Sequence, residues 1–312
     1  MSRTQSIAQV ARGFAMGAAD IVPGVSGGTI ALVTGIYERL IANVHMGASI
    51  LKALLTGDVK GAVERFKAVE WLWLIPLGVG LLVAVASLAS VIETQLHENP
   101  QEMAGLFFGL VLGSVLVAWR LVDEVTAKEL AMMAVVGLAL FLLLGLRSST
   151  TGEEAEMATE PLLYFFGAGA LAICAMILPG ISGSFILVMI GMYPEVLGAV
   201  NDRDLLPLVV FTIGAVVGLS LFSTLLNWLL ERYRNLMLAA MIGLMLGSLR
   251  VLWPWPGGTE STELAMPATG DAVLVPIALA VVGFVVVVAI ELVSSRFLAH
   301  EDGNAESAPD AA

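Results

Sequence analysis

The chain has 312 residues, of which 58% are hydrophobic and only 13% charged, and its mean hydropathy is +0.91. A soluble domain carries about a quarter charged residues, so the composition excludes one and marks a membrane protein. The net charge of −12 argues against nucleic acid as a partner; a single cysteine, Cys174, leaves no internal disulfide, and His45, His97 and His300 are scattered at no metal-ligand spacing.

From the N-terminus, residues 5–22 read as a helix that grows apolar toward Pro23. Gly13, Gly17 and Asp20 interrupt any signal core behind Arg3 and Arg12, so no cleavable signal peptide is expected. Residues 28–44 read as a second helix, but its apolar part, Gly28 to Leu40, has 13 residues. That is about 20 Å of helix against a hydrocarbon core of about 30 Å. A re-entrant hairpin over residues 8–44 fits better than two full crossings. Residues 51–68, with Lys52, Lys60, Arg65 and Lys67 among apolar residues, read as an amphipathic surface helix or, alternatively, an ordinary basic loop. Spans are predicted at 71–93, 103–120 and 129–147, with Trp71, Trp73 and Trp119 as interfacial anchors. An acidic linker occupies 148–160. The pattern then repeats: a re-entrant hairpin over 161–200, then spans at 206–230, 236–253 and 272–294. The acidic tail, 296–312, reads as disordered.

Two short segments anchor this repetition. Asp20-Ile-Val-Pro23-Gly24-Val-Ser26-Gly27-Gly28-Thr29 returns as Met176-Ile-Leu-Pro179-Gly180-Ile-Ser182-Gly183-Ser184. The prolines are 179 − 23 = 156 residues apart, half the chain. Gly109-Leu-Val-Leu-Gly113-Ser114 returns as Gly243-Leu-Met-Leu-Gly247-Ser248, at an offset of 134. The surface segment 51–68, present once, explains most of the 22-residue difference. The fold expected is an all-α integral membrane protein of two repeats, 1–147 and 161–295. Each repeat holds one re-entrant helical hairpin and three transmembrane helices. Three crossings are an odd number, so the second repeat is inverted relative to the first. With both termini cytoplasmic, twelve Lys/Arg fall inside and three (Arg147, Arg203, Arg250) outside, as the positive-inside rule requires. The rival reading, eight full crossings, puts 45–70 and four of its basic residues outside.

A Pro-Gly pair breaks a helix, and two such breaks in corresponding places point to a transporter's binding site. Inverted repeats bring the two breaks together near the midplane. Each second arm begins at a serine, and helix N-termini carry free N–H donors and partial positive charge. Ser26, Gly27, Gly28 and Thr29 on one side, and Ser182, Gly183 and Ser184 on the other, are the candidate anion-binding residues. The alternative is a pair of packing kinks with capping serines. Asp20 is a candidate for coupling anion movement to a proton or sodium ion, or else a cap for N–H groups freed at the break. Arg12 and Arg39 could draw a lipid phosphate to the cavity mouth; for Arg39 an interfacial anchor is the favoured reading. Glu38 and Glu195 read as hairpin-base structure. No cofactor and no metal is expected.

The run from Gly17 to Thr29, followed by Gly35-Ile-Tyr37-Glu38, resembles the polyprenyl-phosphate transporter family, and the resemblance extends over nearly the whole chain. It implies a flippase returning a carrier lipid monophosphate, undecaprenyl phosphate in bacteria, across the cytoplasmic membrane for surface-glycan synthesis. Met176 stands where the first copy has Asp20, so any coupling role is one-sided. Two other readings compete. Polyprenyl-diphosphate phosphatases also use re-entrant Pro-Gly-x-Ser segments, but pair them with an Arg after the Ser and clustered glutamates; here Gly27 and Gly183 follow the serines, and no enzyme is expected. A transporter of a small inorganic anion would use facing helix ends equally well.

Overall fold

The computed structural model describes residues 3–21, 25–145, 161–258 and 263–306. The first Pro-Gly pair, Pro23-Gly24, and the linker 148–160 lie outside the described residues. Every regular element among those described is helical: α1 (Arg3–Asp20), α2 (Gly27–Val33), α3 (Tyr37–Leu55), α4 (Val59–Ala68), α5 (Trp71–Glu98), α6 (Pro100–Arg120), α7 (Ala127–Gly145), α8 (Leu162–Ile177), α9 (Gly183–Met189), α10 (Tyr193–Asn201), α11 (Leu205–Ser248) and α12 (Leu274–Glu306). Five of them, α5, α6, α7, α11 and α12, are long and apolar enough to cross a membrane, and many of their large apolar side chains face outward. The chain is a multi-pass membrane protein. At 44 residues α11 would be about 66 Å long if straight, twice the hydrocarbon thickness. Non-helical dihedrals at Tyr233 divide it into two apolar segments. α12 keeps helical geometry to Glu306, beyond the expected start of a disordered tail at 296. The run after Leu292 holds Arg, Leu, Ala and Glu, all tolerated in a helix, and extends one that is already nucleated.

Neither hairpin is two simple helices. The second arm of the first one stops after seven residues at Thr34, where Gly35 takes φ +70°. Gly35 N–H donates to Leu32 C=O and Ile36 N–H to Ala31 C=O, closing the helix end with a left-handed turn. The same stop recurs at Gly191, φ +74°, with Gly191 N–H to Val188 C=O and Met192 N–H to Leu187 C=O. Every partner is displaced by 156. A second left-handed stop, at Gly57, recurs at Arg203, displaced by 203 − 57 = 146. Helix starts Trp71 and Leu205 are displaced by 205 − 71 = 134. The first half therefore has ten extra residues within α3 and twelve in the turn and α4. The expected surface helix 51–68 is in fact the end of α3 plus α4, because Gly57 ends one helix and Asp58 caps the next by accepting from Gly61 N–H at 2.9 Å.

Packing follows the same offsets. α1 lies on α5 with Gly13 against the Leu77 backbone and Gly80 against Val10. α8 lies on α11 with Gly169 against Phe211 and Gly214 against Phe166. These are the same two contacts moved by 156 on one helix and 134 on the other. α6 packs on α12 through Gly109 and Ala280, and α11 packs on α7 through Gly243 and Met133. Small residues let these backbones approach closely, which is how apolar helices associate without a hydrophobic driving force between them.

Polar side chains gather at two ends of the bundle. At one end Arg234 pairs with Glu38 at 2.6 Å and with Asp123 at 3.2 Å, Arg39 pairs with Glu70, and Arg120 pairs with Glu291 at 3.4 Å. At the other, Gln101 Nε2 donates to Pro256 C=O at 2.8 Å and Gly258 lies against Pro100. The Arg39–Glu70 contact sets a modest pH dependence. Arg39 holds the Glu70 carboxyl below the ordinary glutamate range, chiefly by hydrogen bonding. A lowered value in the folded state stabilises above the unfolded value of about 4.3 and is lost as pH falls through the lowered one. The pair is largely solvated, so its effect is small. In wild type, amide protection factors in the first turn of α3, with the intrinsic pH dependence of exchange divided out, should drop slightly, and only below that range. In Glu70→Gln they should be slightly lower and independent of pH; an unchanged profile would show that the pair does not hold α3 against α5.

Candidate functional site

The two breaks meet. α1 ends at Asp20 and α8 at Ile177, and each leaves its last carbonyls without helical partners. In an apolar interior such groups must be satisfied by neighbouring protein. For α8 the first hairpin does so. Ser26 Oγ donates to Met176 C=O at 3.0 Å, and Tyr37 OH donates to Ile177 C=O at 3.1 Å. Thr29 Oγ1 accepts from Gly180 N–H at 3.1 Å. Ser26 and Thr29 are 1% exposed and Tyr37 is 2% exposed.

The first tip is also closed on itself. Ser26 is the N-cap of α2 and accepts from Gly28 N–H at 3.1 Å. Asp20 Oδ1 accepts from Gly27 N–H at 2.6 Å, so a carboxylate of the chain sits where an external anion would. The end of α2 is therefore closed by groups of the chain itself, where two open helix ends facing a common chamber were expected. In this conformation Ser26, Gly27, Gly28 and Thr29 are buried and their polar groups are engaged within the protein.

The second tip is different. Met176 takes the place of Asp20, with its side chain against Gly183. Ser182 caps α9 by position but makes no capping bond; its hydroxyl meets that of Ser184 at 2.8 Å. Among the described residues the Gly183 and Ser184 N–H groups have no hydrogen-bond acceptor. Ser184 is exposed, and Ser182 borders a narrow pocket lined by Leu140, Leu144, Ile181, Ser248 and Val251. Tyr193, the counterpart of Tyr37, is 40% exposed.

Arg12 and Arg39 lie at the base of the first hairpin. Arg39 stacks over the Trp73 ring at 4.8 Å besides pairing with Glu70. With its amide oxygen turned toward them, buried Gln9 accepts from Arg12 at 2.8 Å and from Trp73 Nε1 at 3.2 Å. Glu38 is tied to Arg234, and Glu195 is half-buried. Sequence reading passed over Tyr37 as a site residue; its recurrence as Tyr193 beside the matching glycine turn was the available signal. An apolar groove of about 350 Å³, lined by Phe108, Leu112, Trp253, Trp255 and Phe284, also went unnoticed. It forms only where α6, α12 and the loop after α11 come together.

Comparison with known proteins places the chain. No solved structure is a significant match. A polyprenyl-phosphate transporter of Vibrio cholerae serotype O1 (strain ATCC 39315 / El Tor Inaba N16961) is 42% identical over 265 residues, covering 84% of this chain and 81% of the relative. A polyprenyl-phosphate transporter of Staphylococcus aureus (strain NCTC 8325 / PS 47) is 28% identical over 256 residues, covering 78% and 85%. The family model described as VCA0040-like, undecaprenyl phosphate translocase-like, matches residues 16–269, and the chain belongs to that family.

Proposed function

We propose that this protein is a flippase that returns a polyprenyl monophosphate, such as undecaprenyl phosphate, across the cytoplasmic membrane to its inner leaflet. The observation that carries the reading is the meeting of the two broken segments, with hydroxyl and N–H groups of the second left without protein acceptors. The family and both named relatives support the cargo. The two halves are inverted repeats, an assignment supported by turns and helix contacts that recur at fixed offsets. Both termini are cytoplasmic, and the end bearing Arg39, Arg120 and Arg234 faces the cytoplasm. The phosphate is held at the tips by Ser182, Gly183 and Ser184, and by Ser26, Gly27, Gly28 and Thr29 once Asp20 withdraws. Asp20 thus competes with the cargo for one seat, and its protonation, or a sodium ion beside it, links release of the seat to a coupling ion. Arg12 and Arg39 draw the headgroup toward the hairpin base. The apolar groove beside Trp253 and Trp255 suits the isoprenoid chain, which favours a lipid over a small inorganic anion. The protein moves its cargo without cleaving it and needs no cofactor.

Leaflet-resolved uptake of a polyprenyl monophosphate in proteoliposomes tests this, with labelled inorganic phosphate as a parallel cargo. Ser182→Ala removes only a hydroxyl pair, so thermal stability should stay within about 0.5 kcal/mol of wild type while lipid uptake falls. Ser26→Ala strips a buried carbonyl and a buried N–H of their partner and should cost about 1–3 kcal/mol as well as uptake. Normal lipid uptake by Ser182→Ala, or phosphate uptake without lipid movement, would overturn the reading.

A further inference from the structure

The ten extra residues of α3 and the added helix α4 build a cavity, and among the described residues the second half has no helix that corresponds to α4. The cavity is a half-open cleft of about 640 Å³ between α3, α4 and α11, within the range of sites that hold a small ligand. Leu55 and Leu221 supply apolar wall; Lys52 and Arg65 supply positive charge; His45 and Thr224, hydrogen-bonded to each other at 3.1 Å, supply polar groups. The acid in the lining, Asp58, is committed to the start of α4 and lies 3.8 Å from Arg65. Beside the cavity α4 exposes Val59, Val63 and Phe66, an apolar face suited to lie in the bilayer interface.

We propose that this cavity binds an anionic phospholipid of the inner leaflet as a resident ligand, its phosphate on Lys52 and Arg65 and one acyl chain along Leu55 and Leu221. A phosphate oxygen meeting two cations, with hydrocarbon continuing along an apolar wall, is the chemistry of a charged lipid and not of a free anion. The occupant is a bilayer lipid and not the cargo, because a cargo that crosses needs a comparable seat toward each leaflet. Among the described residues the second half lacks the wall that would make one: Asn201 and Leu205 are joined by three residues where the first half inserts α4. This choice of occupant rests on the inverted-repeat reading; the existence of a lipid site does not. The bound lipid ties α3 and α4 to α11, the helix that also carries the second half's contacts.

Native mass spectrometry of the intact protein tests it, with phosphatidylglycerol, phosphatidylethanolamine, a polyprenyl monophosphate and free glycerol phosphate as probes. Wild type should retain one phosphatidylglycerol in clear preference to phosphatidylethanolamine, and glycerol phosphate should not displace it. Lys52→Gln/Arg65→Gln should lower that retention at least about tenfold. Leu221→Trp, which fills the apolar end and keeps both charges, should lower it too. Equal retention in both variants overturns the site. Displacement by glycerol phosphate overturns the lipid, and displacement by the polyprenyl monophosphate overturns the choice of occupant. Binding is read without transport, so a protein that moves no polyprenyl phosphate yet keeps its phosphatidylglycerol refutes the flippase reading alone.

Discussion

Gly180→Ala should loosen the meeting point of the two hairpins through two separate penalties. Gly180 has φ +86°, in the left-handed region, and an added Cβ would lie 2.8 Å from Met245 Cα. The dihedral penalty is about 1–2 kcal/mol, and pressing on a neighbouring backbone adds about 1–3 kcal/mol. The same change displaces the N–H that Thr29 accepts. Gly35→Ala is the control. It shares the positive φ, but nothing stands within 4 Å of its added Cβ, so only the dihedral penalty applies. Thermal unfolding in detergent should therefore rank wild type, Gly35→Ala and Gly180→Ala in falling order. Equal midpoints for the two variants would mean that α11 yields freely at Met245 and that the tip is looser than its contacts suggest.

Asp20→Asn should separate structure from coupling. Asparagine keeps the shape and an oxygen for Gly27 N–H but carries no charge and cannot titrate. The fold should persist, while uptake falls by about tenfold, equivalent to about 1.4 kcal/mol, and loses its dependence on pH. Asp20→Ala should also destabilise, by about 1–3 kcal/mol, because it leaves a buried N–H without an acceptor. Uptake and a pH profile identical to wild type in Asp20→Asn would reduce Asp20 to a cap.

The broken helices, the long apolar segments and the offsets between halves were legible because each has a local cause. Pro179-Gly180 cannot continue a helix, and a run of some twenty apolar residues has few other uses. Gly35 and Gly191 were visible as residues but not as stops, since a glycine within an apolar run reads equally well as a packing contact. The division of 51–68 into the end of α3 and α4 hinged on Gly57-Asp58, a turn-and-cap pair diluted by the lysines around it. The site was legible by residue type and less so by state. Ser26, Gly27 and Asp20 do converge, but that the Asp20 carboxylate turns back onto Gly27 N–H, while the Met176 side chain lies against Gly183 without an acceptor to offer, depends on side-chain paths that residue spacing does not encode. Tyr37 reaches Ile177 across 140 positions of sequence, and no local pattern encodes that distance.

The bond between Thr29 and Gly180 has no mirror image available, because Phe185 stands where a second threonine would be needed. If the halves exchange roles during a cycle, the return posture lacks one hydrogen bond, worth about 1 kcal/mol or roughly a five-fold difference in occupancy. An empty carrier of this kind would wait mostly in one posture, so the leaflet it faces at rest would be written into the threonine rather than imposed by the lipid it awaits.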